Sequence, residues 1–264
     1  ASRGLGDVYK RQELGANMAR NVVAPDLLPT VPGPLPQAAS RLPETPREGA
    51  GALYFPACIN RIFGRPAGAA KDSVDLPRAI VELGRRAGQP VWIPEDVAGD
   101  CCGTPWSSKG YKEGFEYQAQ KIVRDLWHWS EHGQLPIVVD AASCTHGLLD
   151  SVPEVLSPAD RKLWEDLRIL DVVEWLRDEI APHLPIVKNM GSIAVHPTCS
   201  TDHMGMSQAL VDLANLCGSA KVPEGAMCCG SAGDRVMLHP ELVESATREE
   251  RASLDAEHFD AFVS

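Results

Sequence analysis

The residues most capable of chemistry in this sequence are its eight cysteines, two pairs of which are directly followed by glycine. Residues 101–103 read Cys-Cys-Gly, and the same triplet returns at 228–230. Glycine lacks a Cβ and permits a tight turn, so each triplet places two thiols at one bend of the chain. We interpret each triplet as the centre of a metal-cluster site, because thiolates are the ligands that soft metals and iron–sulfur clusters take.

The alternative for any single cysteine is an ordinary buried thiol in the core of a cytosolic protein. This alternative suits Cys217, which ends an amphipathic helical pattern directly before Gly218. The other seven fall in loops after predicted strands, mostly beside Pro or Gly, and fit it poorly. Eight cysteines in 264 residues are also too few for a disulfide scaffold.

Overall charge and hydropathy exclude some classes of protein. The formal net charge of −11 argues against a nucleic-acid partner, which requires a basic surface. No apolar run approaches the ~20 residues that span a bilayer, and the first 20 residues contain no signal-peptide core. We therefore expect a cytoplasmic protein without a transmembrane segment, in at most peripheral contact with the inner membrane.

The first 51 residues differ in composition from the rest. Residues 1–12 have no periodicity and resemble a non-native sequence scar, so they are left out of the fold. Residues 13–51 are predicted to form a short helix at 13–21 and then an extended linker rich in proline. A linker at the front predicts a preceding domain, so we expect the chain to be the C-terminal part of a longer polypeptide.

From residue 52 onward, short apolar runs alternate with helical patterns, which indicates an α/β fold with parallel sheets covered on both faces. Strands are predicted at 52–55, 90–94, 135–140, 192–196, 220–223 and 259–264. Helices are predicted at 75–87, 111–132, 203–217 and 240–254, and a helical stretch that allows one break is predicted at 160–180.

The order of these elements occurs twice. Residues 56–64 read Pro-x-Cys, then five further residues, then Gly, and residues 197–205 have the same spacing. In each copy a Cys-Cys-Gly triplet follows the second strand. We therefore predict two tandem parallel βαβ repeats related by pseudo-twofold symmetry, at 52–190 and at 191–264, with the second cut short at its C-terminus.

In open parallel sheets, ligand sites gather outside the carboxyl ends of the strands. The cysteines that follow these ends in the first repeat, and form its predicted site, are Cys58, Cys101, Cys102 and Cys144. The second repeat keeps Cys199, Cys228 and Cys229, and its next cysteine is expected beyond Ser264. All seven are expected to act as ligands, and no catalytic residue is predicted.

The choice of metal is between a 4Fe-4S cluster and zinc, since both take four thiolates. Zinc usually binds through Cys-x-x-Cys knuckles, and the sequence contains none. Adjacent cysteines are awkward ligands for one tetrahedral ion, whereas they suit neighbouring iron atoms of a cluster. We favour the cluster, and a structural zinc domain stays open as an alternative.

Taken together, these motifs resemble the cysteine-rich CCG domain of the heterodisulfide reductase B subunit, the glycolate oxidase iron–sulfur subunit and flavin-linked D-lactate dehydrogenases. The resemblance extends over about residues 51–264. It is closest to the C-terminal iron–sulfur region of bacterial D-lactate dehydrogenases that carry FAD and clusters on one chain. The segments that carry it are 54–61, 143–147, 228–235 and 238–242.

The resemblance implies an electron-transfer module of a flavin-dependent 2-hydroxy-acid dehydrogenase, with D-lactate as the expected substrate. FAD is expected on a preceding part of the parent chain, together with ferredoxin-like domains, and a quinone or a cytochrome as the electron acceptor. This chain alone is not expected to oxidise lactate.

The sequence departs from the family pattern at one position. Full family motifs end in Cys-x-x-Cys, whereas residues 144–147 read Cys-Thr-His-Gly. The first site therefore lacks a fifth thiolate, which argues against a non-cubane cluster and against the second function considered, cluster-based disulfide reduction of the heterodisulfide reductase type. Four thiolates remain, enough for an ordinary 4Fe-4S cluster.

Overall fold

The computed structural model describes residues 15, 18–20, 36–65, 73–231, 233 and 235–264. The predicted scar at 1–12 lies outside these residues, as does the predicted linker up to residue 35. Within the predicted helix at 13–21, the described residues 15 and 18–20 are helical. Residues 36–51 contain no helix, and Ala38 among them forms an isolated antiparallel bridge with Phe63.

The chain divides into two units. The larger contains residues 36–223 and 258–264, and the smaller contains residues 224–257 with the described residues among the first 35. Both sheets belong to the larger unit.

The first sheet has four parallel strands in the order β2-β1-β3-β4. These strands are β1 (Ala52–Phe55), β2 (Val91–Trp92), β3 (Ile137–Val139) and β4 (Ile169–Asp171). Every residue of β1 and β3 is buried, because helices cover both faces of a parallel sheet. This burial explains why both strands are continuous apolar runs rather than alternating ones.

The helices of this part of the chain follow the strands. They are α1 (Cys58–Ile62), α2 (Leu76–Arg86), α3 (Thr104–Ser108), α4 (Lys112–Trp129), α5 (Ala142–His146), α6 (Val152–Val155), α7 (Pro158–Glu165) and α8 (Val172–Trp175). A π-helical turn at Gly147–Ser151 joins α5 to α6 without a break, and another at Leu176–Ile180 extends α8. Short 3-10 turns lie at Val97–Gly99 and Ala181–His183.

The second sheet has three parallel strands in the order β6-β5-β7. They are β5 (Ser192–Val195), β6 (Ser219–Lys221) and β7 (Ala261–Val263), and the helices between β5 and β6 are α9 (Cys199–His203) and α10 (Ser207–Cys217). The first strand is central in both sheets, with the second strand on one side and the third on the other. The prediction of parallel βαβ units is therefore confirmed.

The smaller unit is helical in the part that is described. Its helices are α11 (Arg235–Leu238), α12 (Pro240–Ala246) and α13 (Arg248–Ala256). None of the helices within the described ranges combines the length and the apolar composition needed to cross a bilayer.

Some predicted helices were wrong in detail. The helical stretch 160–180 is broken by a strand that was not predicted, since residues 169–171 pair with β3 and bury Ile169 and Leu170. A short apolar run does not distinguish a strand from a helix by periodicity, and only the pairing decides. The stretch 203–217 is interrupted at Gly205, whose φ is +69°, and the stretch 240–254 is interrupted at Thr247.

Candidate metal centre

The strand order of the first sheet fixes where a site can form. In the order β2-β1-β3-β4, the chain passes from β1 to β2 at one edge of the sheet and from β3 to β4 at the other edge. Because these two connections lead in opposite directions, a crevice opens at the carboxyl ends of β1 and β3. The loop after β1 delivers Cys58 and the loop after β3 delivers Cys144. The Cys101-Cys102 pair arrives from the loop after β2, the neighbour of β1.

The four cysteines predicted for the first site lie together. The Cys58 thiol hydrogen-bonds to Cys101, which in turn contacts Cys102. The sulfur atoms of Cys102 and Cys144 are 3.0 Å apart. None of the four forms a disulfide, so the fold brings four thiols from three separate loops into one continuous chain of contacts.

The Cys-Cys-Gly triplet folds into the same turn in both copies. In the first, Gly103 has φ +85° and its N–H donates to Cys101 Sγ at 3.5 Å. In the second, Gly230 has φ +68° and its N–H donates to Cys228 Sγ at 3.4 Å. A residue with a Cβ is strained at such φ values, which explains the glycine in both triplets.

Thr104 links the Cys-Cys-Gly loop to the Cys144 loop. The Cys102 thiol donates to Thr104 Oγ1 at 3.3 Å, and that hydroxyl donates to the Ser143 carbonyl at 3.3 Å. The same hydroxyl fills the space beside Gly147, where an added Cβ would lie 2.4 Å from Thr104 Oγ1. The position that carries the last cysteine of the family motif is thus occupied here by a glycine packed against a threonine.

A buried carboxylate ties the Cys58 loop to the end of β3. Asp140 accepts hydrogen bonds from the Tyr54 hydroxyl at 2.5 Å and from the Ala57 N–H at 2.6 Å. Burial raises the pKa of Asp140, and the bonds from Tyr54 and Ala57 offset this only in part. Burial, reinforced by the Asp140 charge, likewise raises the pKa of Tyr54. The pair fixes the direction in which the chain leaves β1 just before Cys58.

A second buried carboxylate holds the Cys144 helix. Asp171, at the end of β4, accepts from the Thr145 hydroxyl at 2.8 Å and from the Val173 N–H at 3.0 Å. Thr145 follows Cys144 directly and is fully buried. Burial raises the pKa of Asp171, and its two hydrogen bonds oppose the increase. α5 is therefore anchored through its own side chain to the neighbouring strand.

The loop that leads into the cysteine pair is fixed by charged and polar groups. Asp100 is 4% exposed, and its carboxylate lies 2.5 Å from Lys121 Nζ, which also bonds Asp125 at 2.7 Å. Burial raises the pKa of Asp100, while the bond from Lys121 lowers it. Gln118 Nε2 donates to the Cys101 carbonyl at 2.9 Å. α4 thus positions the backbone on either side of the Asp100–Cys101 bond.

Arg61 joins the Cys58 helix to the same loop. It lies one turn after Cys58, and its guanidinium donates to the backbone carbonyls of Val97 and Asp100. Its Nε–H is buried and has no acceptor among the described residues. Arg61 also lines a cavity of about 890 Å³ between residues 39–46 and 93–98.

The pKa values of three of the thiols, those of Cys58, Cys101 and Cys102, are raised above the ordinary value of a cysteine. The hydrogen bond to Cys101, burial and the Cys101 charge raise the pKa of Cys58, although the Arg61 charge partly opposes them. The bond from Cys101 lowers the pKa of Cys102, but the contact with Cys144 and burial outweigh it and raise that pKa to about 12. A bound cation reverses this balance, since metal binding displaces protons from thiols.

The residues present fit an iron–sulfur cluster. Within the described residues, no group of three or more His, Cys, Asp or Glu side chains forms a ready-made site for a single metal ion. The donor set is all sulfur, which iron–sulfur clusters take. The buried, unsatisfied Nε–H of Arg61 beside these thiols is a donor that suits an acceptor outside the protein chain.

The other predicted site residues are placed separately. Cys199 is exposed at the start of α9, which packs against α5, and His203 of α9 contacts His146 of α5 with ring centroids 5.6 Å apart. Cys228 and Cys229 are exposed and lie in the smaller unit. The role of these three cysteines as ligands of a second site stays a prediction. Cys217 ends α10, as the sequence predicted.

Comparison with known proteins decides the family. A family model described as a cysteine-rich domain (CCG) matches residues 52–148 and 193–264. The chain belongs to this family. The two matched segments of the cysteine-rich domain each contain one Pro-x-Cys motif and one Cys-Cys-Gly triplet.

Curated relatives of this cysteine-rich domain include the C subunit of the anaerobic glycerol-3-phosphate dehydrogenase of Escherichia coli strain K12 and that of Escherichia coli O157:H7. Each is 25% identical to it over 134 residues, which are 50% of this chain and 34% of the relative. The chain thus spans about a third of the length of the curated relatives it matches.

The sequence interpretation found the cysteines of the cysteine-rich domain but missed the groups that position them. Asp140 and Asp171 each end a buried apolar strand, a signal that was visible in the sequence. Arg61 is three residues after Cys58 and so shares a face of any helix that begins there. Nothing in the sequence indicated that Thr104 would contact Gly147, because that contact joins two distant loops.

Proposed function

We propose that this chain is the iron–sulfur electron-transfer module of a dehydrogenase. The observation that carries the proposal is the meeting of Cys58, Cys101, Cys102 and Cys144 at the crevice of the first sheet, with Cys102 and Cys144 in direct sulfur contact. Membership of the cysteine-rich domain family and similarity to a dehydrogenase subunit support it. A 4Fe-4S cluster bound there would accept and release single electrons.

The residues of the chain then have separate tasks. The four cysteines bind the cluster, and Asp140, Asp171 and Asp100 fix the loops that carry them. The low exposure of Cys102 and Cys144, 2% and 6%, keeps water from that side of the site. No residue is assigned to proton or hydride transfer, so the oxidation of substrate belongs to another part of the parent enzyme.

We further propose that the parent enzyme is a flavin-dependent 2-hydroxy-acid dehydrogenase acting on D-lactate. The motif resemblance over residues 51–264 supports this, and FAD and ferredoxin-like domains are then expected on the preceding part of the parent chain. The electrons would leave to a quinone or a cytochrome. The two Escherichia coli relatives are subunits of a glycerol-3-phosphate dehydrogenase. Glycerol 3-phosphate is therefore the alternative substrate to test beside D-lactate.

Cluster-based disulfide reduction is less favoured, because Gly147 and Thr104 occupy the place of the fifth thiolate. A structural zinc domain is less favoured because two of the four thiols are adjacent in the sequence and the chain has no Cys-x-x-Cys knuckle.

Two measurements test the proposal. The 264-residue chain, reconstituted anaerobically with iron and sulfide, is expected to contain about four iron atoms per filled site and to absorb broadly in the visible range. Zinc in place of iron, or no bound metal at all, would contradict the proposal. The parent enzyme is expected to reduce an artificial acceptor with D-lactate and not with glycerol 3-phosphate. The opposite preference would contradict the proposal that D-lactate is the substrate, without contradicting the proposal that the four cysteines bind a cluster.

A further inference from the structure

We propose that Arg61 holds the Cys58 and Cys101 sides of the site together and raises the reduction potential of the cluster that they bind. The inference rests on the proposed function, since it concerns the electron carrier assigned to these thiols. It adds a positioning residue that is neither a ligand nor part of the Cys-Cys-Gly motif.

The geometry supports a clamp between two loops. Arg61 lies on α1, which begins at Cys58, and its two terminal nitrogens donate to the carbonyls of Val97 and Asp100. Asp100 directly precedes Cys101, so one rigid guanidinium connects the backbone beside one thiol to the backbone beside the other. Lysine has a single ammonium group and cannot reproduce this fork.

The charge of Arg61 has no carboxylate partner in the described part of the chain. Its acceptors are neutral carbonyls, while the nearby Asp100 carboxylate is bound by Lys121. Arg61 is itself half-buried and lies close enough for its charge to act on the Cys58 thiol. A cation in this position is unfavourable beside neutral groups and favourable beside an anion.

A cluster bound by four thiolates supplies that anion. On reduction the cluster gains one electron, no bond in Arg61 changes, and the negative charge beside the guanidinium increases. A nearby cation therefore stabilises the reduced form more than the oxidised form, and net charge and hydrogen bonding near the sulfurs are known determinants of cluster potential. The electron comes from the flavin of the proposed parent enzyme.

The test compares Arg61→Gln, Arg61→Lys and the control Arg85→Gln in the reconstituted 264-residue chain. Arg85 contacts Glu82 at the surface of α2. Arg85→Gln therefore changes the net charge of the chain as Arg61→Gln does. Iron per chain, the rate of iron loss to a chelator and the midpoint potential are measured for each protein. The midpoint potential is the deciding measurement. If Arg61 only held the two loops in place, its variants would lose iron faster, but their midpoint potentials would not follow the charge of the side chain at position 61.

For Arg61→Gln we expect the equilibrium between the oxidised and the reduced cluster to shift roughly tenfold towards the oxidised form. This shift equals a midpoint potential that is lower by ~59 mV for a one-electron couple. Arg61→Lys keeps the charge and should keep the potential, and both variants should retain metal about 10- to 100-fold more weakly. Arg85→Gln should match the wild type.

The outcomes separate this inference from the proposed function. A wild-type chain without iron would overturn both. A loaded Arg61→Gln protein with the wild-type potential would overturn the role of Arg61 alone. If Arg61→Gln holds too little cluster to be measured, Arg61→Met, which keeps the length of the side chain without its charge, decides: a fall of ~59 mV supports the inference, and the wild-type potential rejects it.

Discussion

The sulfur atoms of Cys102 and Cys144 lie 3.0 Å apart although the two residues are 42 positions apart in the sequence. The contact joins the loop after β2 to the loop after β3, two strands that lie on opposite sides of β1. Buried hydrogen bonds from Tyr54 and Thr145 to carboxylates fix the surrounding loops. The thiols are therefore brought together by the fold itself.

The first prediction concerns the ligands. Cys144→Ser should abolish most cluster binding, because a buried thiolate is replaced by a weaker, harder ligand. Cys217→Ser is the matched control, since Cys217 ends α10 as a half-buried core thiol. Iron and sulfide per chain after anaerobic reconstitution measure both variants. Equal iron content in the two proteins would remove Cys144 from the site.

The second prediction concerns the glycine of the first triplet. Gly103→Ala should lower the free energy of unfolding by about 1–3 kcal/mol, because φ is +85° and the new Cβ would lie 3.0 Å from the Phe115 ring. Gly99→Ala is the control, because no atom lies within 4 Å of its added Cβ. Urea unfolding of both variants is the measurement. A Gly103→Ala protein as stable as Gly99→Ala would show that the turn relaxes freely.

The third prediction concerns the replaced family position. Gly147→Cys should destabilise the fold by about 1–3 kcal/mol, because its Cβ would displace the Thr104 hydroxyl, 2.4 Å away. In a Thr104→Ala background most of this cost should disappear, since the obstructing hydroxyl is gone. A double-mutant cycle of unfolding free energies, with Gly147→Ala to separate size from thiol chemistry, measures the coupling. Identical costs in both backgrounds would contradict the steric explanation.

The fourth prediction concerns pH. Because burial raises the pKa of Asp140 in the folded protein, its contribution to stability is complete below the unfolded pKa of about 3.9 and is lost as pH rises through the folded value. The stability of wild type relative to Asp140→Asn should therefore fall as the pH rises above about 4. Urea unfolding at a series of pH values above 4 is the measurement.

Tyr54→Phe provides the control for this pH effect. The Tyr54 hydroxyl lowers the pKa of Asp140, so its removal should move the loss of stability to higher pH and cost about 1–3 kcal/mol in addition. A difference between wild type and Asp140→Asn that does not change with pH would mean that Asp140 stays ionised throughout.

Periodicity and spacing predicted the parallel βαβ units and the positions of the cysteines at strand ends. They did not predict β4, since Ile169 and Leu170 form a run too short to distinguish from a helix until it pairs with β3. They also placed helix breaks poorly, as at Gly205, where a left-handed residue ends α9 one turn before α10 begins.

The sequence by itself determined which thiols are available, because the repeated motifs and their glycines are local features of the chain. Only the tertiary structure decided which of them meet and what holds them, since the contacts of Cys102 with Cys144, Asp140 with Tyr54 and Arg61 with Asp100 join segments far apart in the chain. Such contacts depend on strand order, and strand order is set by the packing of the whole sheet rather than by any one segment.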